Sequence, residues 1–278
     1  MKPKTTDSAV RPLQSREVLS RLARGARGGL ISVERAAELL GLPTRAAANK
    51  VAALERRGWL ARVRRGLYLV RPLEASTNIP STVEDPWLLA QEVFSPCYIG
   101  GWSAAEHWGL TEQLFRSTFV VTAARIRRST ERLLAAELHL VHVSPEVLKG
   151  AVSIWRGKER VAVSDRERTI ADALVSPDWV GGVRHLLGIL AAYRESREWN
   201  PEKLLQRLKE RGRGSAFKRM GYLAEALWPD AREVVDAART RRTSGLIKLD
   251  PSVKTRGKMN KRWGLWVNVS LKKEDLHQ

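Results

Sequence analysis

The sequence predicts an α/β protein of the α+β kind: an N-terminal winged helix-turn-helix, then a larger mixed α/β domain whose helices gather toward the C-terminal half. Three observations carry this. Residues 41–72, GLPTRAAANKVAALERRGWLARVRRGLYLVRP, run turn, helix, strand, tight basic tip, strand. From residue 85 onward, short β-rich runs accumulate first and long helical runs follow. The excess positive charge sits at the two ends of the chain and leaves a neutral body between them.

Residues 1–14 read as a basic arm with Lys2, Lys4 and Arg11, either a groove-following tail or simply a free terminus. Val18, Leu19 and Leu22 share one helical face, and Gly25 and Gly28-Gly29 end that helix. Ser32 is a good N-cap for VERAAELL, in which Ala36, Ala37, Leu39 and Leu40 turn inward. After the turn Gly41-Leu42-Pro43, a helix is expected from Thr44 to Arg57, with Pro43 in its first turn and Gly58 taking the left-handed conformation that stops it. Two strands, Trp59 to Val63 and Leu67 to Arg71, flank an Arg64-Arg65-Gly66 tip.

The helix from Thr44 has two faces. Ala47, Val51 and Leu54 fall at i, i+4, i+7 and point to a core. Arg45, Asn49 and Arg56 fall on another side, with Lys50 and Arg57 beside them. A helix about 10–12 Å wide fits the DNA major groove, where Arg pairs with guanine edges and Asn with adenine. The expected contacts to double-stranded DNA are therefore Thr44 at the helix start, Arg45 and Asn49 for base readout, and Lys50, Arg56, Arg57, Arg62, Arg64 and Arg65 for phosphate. The bland alternative is a surface helix with solvated charges.

Residues 73–84 read as a linker, in a stretch with three prolines and many small polar residues, so the expected domains are 1–72 and 85–278. In the second, a helix is expected from Asp85 to Phe94, and a strand at Tyr98-Ile99. Ser103 is expected to cap a short helix. Strands follow at 118–122, 138–143, 151–155 and 160–163. Asp165 is a fitting cap for the helix closed by Pro177. Further helices are expected at 179–193, 201–211, 216–227 and 229–239, with a last strand at 263–269. The segment 239–262 is basic and turn-rich, yet Leu246, Ile247 and Leu249 suggest that part of it packs; it is either a second phosphate-contacting surface or a solvated loop.

Net charge is +19 over 278 residues, distributed as +11 in residues 1–72, zero in 73–238 and +8 in 239–278. Charge so concentrated implies a polyanion, most simply nucleic acid. A hydrophobic content of 43% supports a real core rather than a disordered basic chain. No run of about 18 apolar residues is present and no apolar stretch marks the N-terminus, so neither a membrane partner nor a secretory signal is expected. Cys97, the single cysteine, rules out an internal disulfide and a Cys-rich zinc site. Together these fit a cytoplasmic protein.

Catalytic constellations are thin. His139 and His142, three apart on a strand, face opposite ways and make poor joint ligands. His107 reads as a packed helix residue, and Ser103 has no identifiable partner. Asp165, Glu167 and Asp172 invite a metal reading, but Asp165 reads as a cap, Arg166 and Arg168 neutralise the surroundings, and Asp172 sits among apolar residues. No glycine-rich phosphate loop exists. No cofactor, no metal and no enzyme activity are expected. The tryptophans at 87, 102, 108, 155, 179, 228, 263 and 266 are expected in the core, with Trp102 and Trp108 as the alternative partner surface.

The chain resembles the AbiEi-type antitoxins, transcriptional regulators of viral defence systems. The resemblance rests on RRGLYLVRP (64–72), YIGGWSAAEHWGL (98–110), SDRERTIADALVSPDWVGG (164–182) and GYLAEAL (221–227), in that order behind the winged helix. It implies a DNA-binding module that represses its own toxin–antitoxin (abortive infection) operon, and a C-terminal domain that neutralises a nucleotidyltransferase-like toxin. The basic segment 239–278 is longer than the family core. The alternative is a metal-dependent nucleic-acid-processing enzyme delivered by the winged helix.

Overall fold

A computed structural model of the protein describes residues 15–71, 83–228 and 230–271. The basic arm with Lys2, Lys4 and Arg11, most of the expected linker, and His277 lie outside the described residues. The chain divides into two compact units, one within Met1–Asp85 together with Leu133–Ala136, the other Pro86–Arg132 and Glu137–Gln278.

The first unit is three helices and a three-stranded antiparallel sheet. Its order is α1 (Ser15–Gly25), β1 (Leu30–Ser32), α2 (Val33–Leu40), α3 (Thr44–Arg56), β2 (Leu60–Arg64) and β3 (Leu67–Val70). The sheet runs β1-β3-β2, so the hairpin is tied back to the strand before α2. Ser32 caps α2 as its sequence position suggests, its hydroxyl accepting from the Arg35 N–H. Val18, Leu19 and Leu22 of α1, Ala36 and Leu40 of α2, Val51 and Leu54 of α3, and Leu60 and Tyr68 of the hairpin close one core. Gly58 (φ +78°) and Gly66 (φ +81°) take the left-handed conformations expected of a helix stop and a hairpin tip. α3 starts at Thr44 as expected, with Pro43 as its N-cap, where it offers no side-chain bond.

The second unit opens on α4 (Pro86–Phe94), β4 (Cys97–Ile99) and α5 (Gly101–His107), then β5 (Thr118–Thr122), β6 (Thr130–Leu133), β7 (Ala136–His142), β8 (Ala151–Arg156) and β9 (Glu159–Ser164). These strands form one mixed sheet in the order β6-β7-β5-β4-β9-β8. β4 pairs antiparallel to β5 and parallel to β9; β5 pairs parallel to β7, and β8 antiparallel to β9. Every residue of β5 is buried, as an interior strand covered on both faces requires.

The helical half is α6 (Arg166–Val175), α7 (Val183–Glu195), α8 (Pro201–Arg211), α9 (Gly214–Leu227) and α10 (Arg232–Arg241). Together they bury the largest apolar cluster, including Ile170, Leu186, Leu190, Leu208, Met220 and Trp228. A small sheet of β10 (Ile247–Lys248), β11 (Lys258–Asn260) and β12 (Leu265–Val267) follows, in the order β10-β12-β11. Leu249, Trp263 and Leu265 join it to the helical core, with the Trp263 ring lying where a side chain at Gly221 would stand. Segment 239–262 is therefore not simply a solvated loop.

Four expectations are corrected. Ser103 is not a cap: Gly100 is, and the buried Ser103 hydroxyl accepts from the Phe119 N–H at 2.9 Å, joining α5 to β5. The helix expected from 179 begins at Val183, because Gly181 and Gly182 separate it from a 3-10 turn, Pro177–Val180. β6 went unread because its alternation of exposed and half-buried residues carries little apolar signal. Two tryptophans expected in the core are not there: Trp155 is 64% exposed at an edge strand, its ring covered by the Arg160 guanidinium at 4.5 Å, and Trp266 is half-buried under the Arg256 guanidinium.

Candidate nucleic-acid interface

The core of the first unit fixes which way α3 points. Ala47, Val51 and Leu54 are its buried residues. At about 100° per residue, Asn49 lies about 40° and Arg56 about 20° from Arg45 around the helix axis, on the side opposite those three. Thr44, Arg45, Asn49, Arg56 and Arg57 are exposed and Lys50 is half-buried. Between the cations lie Ala48, Ala52 and Ala53, half-buried and short. This face is a flat strip about 16 Å long from Arg45 to Arg56, with polar reach only at its ends and flank.

The hairpin supplies the second part. Arg62, Arg64 and Arg65 are exposed around the Gly66 turn. The β2–β3 pairing is irregular between Arg62 and Arg64, as at a bulge, where a strand twists more strongly. Arg62 lies 5.9 Å from the Tyr68 ring centroid, and Arg57 donates to the Ser15 hydroxyl at 2.8 Å.

Two arginines outside this face are paired with carboxylates. Arg21 is bridged to Glu17 at 3.1 Å and Arg35 to Glu38 at 2.8 Å, each within its own helix. Arg45, Lys50, Arg56 and Arg65 have no hydrogen-bond or ion-pair partner among the described residues. The paired carboxylates Glu17 and Glu38 lie on α1 and α2, while α3 carries Arg45, Lys50 and Arg56 against Glu55 alone and the hairpin tip is positive. That arrangement attracts phosphate and releases counterions on contact.

The second unit holds a different cluster. Asp165 caps α6, its Oδ1 accepting from the Arg168 N–H at 2.7 Å, as read from the sequence. Its Oδ2 receives Arg207 at 2.6 Å and Lys203 at 3.4 Å. Glu167 accepts from the Tyr193 hydroxyl at 2.9 Å and lies 2.7 Å from Lys203 Nζ. Asp172 accepts from the Tyr98 hydroxyl at 2.7 Å and bridges Arg168 at 3.0 Å and Arg211 at 2.6 Å. Burial, then the Asp172 carboxylate, pushes the Tyr98 phenol well above its ordinary range, so it stays a donor. The three acidic residues singled out in the sequence are thus each engaged by cations, and no group of three or more His, Cys, Asp or Glu suited to a metal ion exists among the described residues.

The α8 cations of this cluster were not singled out in the sequence, although their spacing was visible. Lys203, Arg207 and Arg211 stand at i, i+4, i+8 on α8, one stripe that faces the carboxylates of α6. Arg168 and Asp172 are the matching i, i+4 pair on α6. Beside them is a cleft of about 530 Å³ lined by Lys149, Arg168, Arg207 and Arg211 with Glu146 and Glu210. Arg168 also donates to the carbonyls of Lys149 and Val147. These bonds hold the 3-10 turn Pro145–Leu148 to α6.

His139 and His107 make ring contacts. His139 stacks on Phe119 and tilts against Trp102, and burial lowers its pKa. His107 packs edge-on against Trp87 and Trp108, and burial followed by Arg156 and Arg166 lowers its pKa. Trp102 and Trp108 are half-buried and satisfied, donating to the carbonyls of Ser117 and Ser164. Burial pushes the Cys97 thiol up to about 12.

Residues 17–71 match the family described as transcriptional regulator, AbiEi antitoxin. No curated protein matches the chain. The RV2827C protein from Mycobacterium tuberculosis, known from a crystal structure, has a similar fold, with a TM-score of 0.62 at 19% identity over 90% of each chain. Among the described residues no helix is long and apolar enough to cross a membrane.

Proposed function

We propose, from the match of residues 17–71 to the family described as transcriptional regulator, AbiEi antitoxin, that this protein represses its own toxin–antitoxin operon by binding operator DNA through α3 and the β2–β3 hairpin. The observation that carries the reading is the division of charge within one small unit. Arg21 on α1 and Arg35 on α2 are paired with carboxylates, whereas the side chains of Arg45, Lys50 and Arg56 on α3 and of Arg65 at the hairpin tip have no partner among the described residues. Arg45 and Asn49 read base edges in the major groove. Thr44, Lys50, Arg56 and Arg57 hold the flanking phosphates, and Arg62, Arg64 and Arg65 place the wing on the backbone or minor groove.

The second unit acts in the cytoplasm on a nucleotidyltransferase-like toxin, as an interaction body rather than a catalyst. The arginine and lysine partners of Asp165, Glu167 and Asp172 favour this over a metal-dependent nuclease. The decisive experiment is quantitative operator binding by an Arg45→Ala/Asn49→Ala variant of the full chain. The expected result is loss of discrimination between operator and unrelated duplex. Retention of both affinity and specificity would overturn the assignment of α3 as the reading helix.

A further inference from the structure

The C-terminal small sheet has features that operator binding by the first unit leaves unused. Residues 239–271 carry nine Lys or Arg against the single acidic residue Asp250. Asp250 is buried and does not offset that charge at the surface: one carboxylate oxygen accepts from the Val183 N–H, the other from the Ser252 N–H and hydroxyl. Some of the cations are structural. Lys248 donates to the carbonyls of Val253 and Lys254, Arg242 to that of Arg262, and Arg262 bridges Glu225 at 2.6 Å. Lys254, Lys258 and Lys261 are exposed, and their ammonium groups have no hydrogen-bond or ion-pair partner among the described residues.

The sheet itself has one committed face and one open face. Leu265 is fully buried against the helical core, and Ile247 packs there too. Period-2 alternation then turns Trp266, with its cross-strand neighbours Lys248 and Met259, to the other face. Met259 is 45% exposed, and the Arg256 guanidinium lies over the Trp266 ring at 4.0 Å. A row of exposed thioether, half-buried indole and exposed stacked guanidinium, with the free charges of Lys254 and Lys261 each two residues along the chain from Arg256 or Met259, joins apolar flat surface to positive charge; Lys258, next to Met259 on β11, turns to the opposite face with Leu265 and Val267.

We propose that this face of β10-β12-β11 is a second nucleic-acid site that takes single-stranded RNA or DNA. Bases stack on the outer plane of Arg256 and against Met259 and Trp266, and Lys254 and Lys261 hold the phosphates. Flat π surfaces on a sheet combined with free cations suit unstacked bases. A duplex keeps its bases inside and would meet the same row with sugar and phosphate only. An acidic protein would answer the lysines but leaves the Arg256–Trp266 stack without a use.

The test is fluorescence anisotropy of the full chain with 20-nucleotide oligouridylate, oligothymidylate and a matched duplex lacking the operator. It is run in an Arg45→Ala/Asn49→Ala/Arg64→Ala/Arg65→Ala background, so that the first unit contributes little and failure of the operator reading leaves this one intact. The single strands should bind at least tenfold more tightly than the duplex, and the tighter of the two names the natural ligand as RNA or DNA. Lys254→Glu/Lys261→Glu should abolish that binding. Its neutral counterpart, with glutamine at the same two positions, should flatten the slope of log K against log salt by about 1.4. Arg256→Ala should weaken single strands at least fivefold with little change in slope. All three positions are exposed, so an unchanged melting temperature verifies folding. Equal affinity for duplex and single strands, or single-strand binding untouched by the lysine variants, would overturn the proposal. So would loss of a co-expressed toxin partner from the charge-reversed chain while single-strand affinity persisted.

Discussion

At the scale of single residues, Arg45 and Arg65 carry the same charge and are equally exposed, yet they are placed for different work. Arg45 stands on the helix face opposite the core, beside Asn49, whereas Arg65 is at a hairpin tip. Arg45→Ala should cost about 1–3 kcal/mol of operator binding and relax one base position. Arg65→Ala should weaken all sequences alike and reduce the salt slope by about 1. Titrating operator variants at several salt concentrations separates the two. His185 makes a prediction of a different kind. Its ring sits between the Thr111 hydroxyl and the Val180 carbonyl, and burial lowers its pKa from 6.5. The folded state therefore resists protonation more than the unfolded chain does. Its contribution to stability is fully present above about pH 6.5 and is lost as pH falls through the lowered value. Melting temperature should decline from pH 7 to pH 5, and less steeply in His185→Gln.

At the scale of elements, the stretch YIGGWSAAEHWGL shows how a motif becomes a constraint. Gly101 starts α5 at φ +50°, and a Cβ there would overlap the Trp179 carbonyl oxygen and the Phe119 ring. Gly101→Ala should therefore lower stability by more than the roughly 1–3 kcal/mol of backbone strain alone, measured by denaturant unfolding. The first-unit elements were legible almost residue by residue because their signals are local: a capping serine, two turn glycines and apolar spacing on three short helices. The second unit was less legible where local signals conflict. A serine placed to look like a cap is buried inside α5 because Phe119 needs an acceptor. A tryptophan expected in the core lies outside because its strand is at the sheet edge.

At the scale of the whole molecule, the neutral charge of residues 73–238 conceals an organised pattern. Asp172 is buried between two arginines and a tyrosine, and Arg168 and Arg211 share its Oδ1 atom. Asp172→Ala leaves both guanidiniums without their carboxylate and should destabilise the protein by about 3–5 kcal/mol. Replacing a surface acid such as Glu131 should change the melting point little, so thermal unfolding of the two variants checks the claim. Because that cluster links α6 and α8 to the turn at Pro145–Leu148, its loss should also loosen the cleft beside it.

The sequence by itself determined the class of fold, the order of most elements, the face of α3 that turns outward, and the sign and position of the excess charge. Each depends on periodicity, capping or composition, which act over a few residues. Only the tertiary structure decided which charges are spent and which are free. Lys203, Arg207 and Arg211 look no different in sequence from Lys254, Lys258 and Lys261, but the first three meet carboxylates folded against them and the last three meet none among the described residues. The pairing of a charge is a property of distances between residues remote in the chain, and folding alone sets those distances.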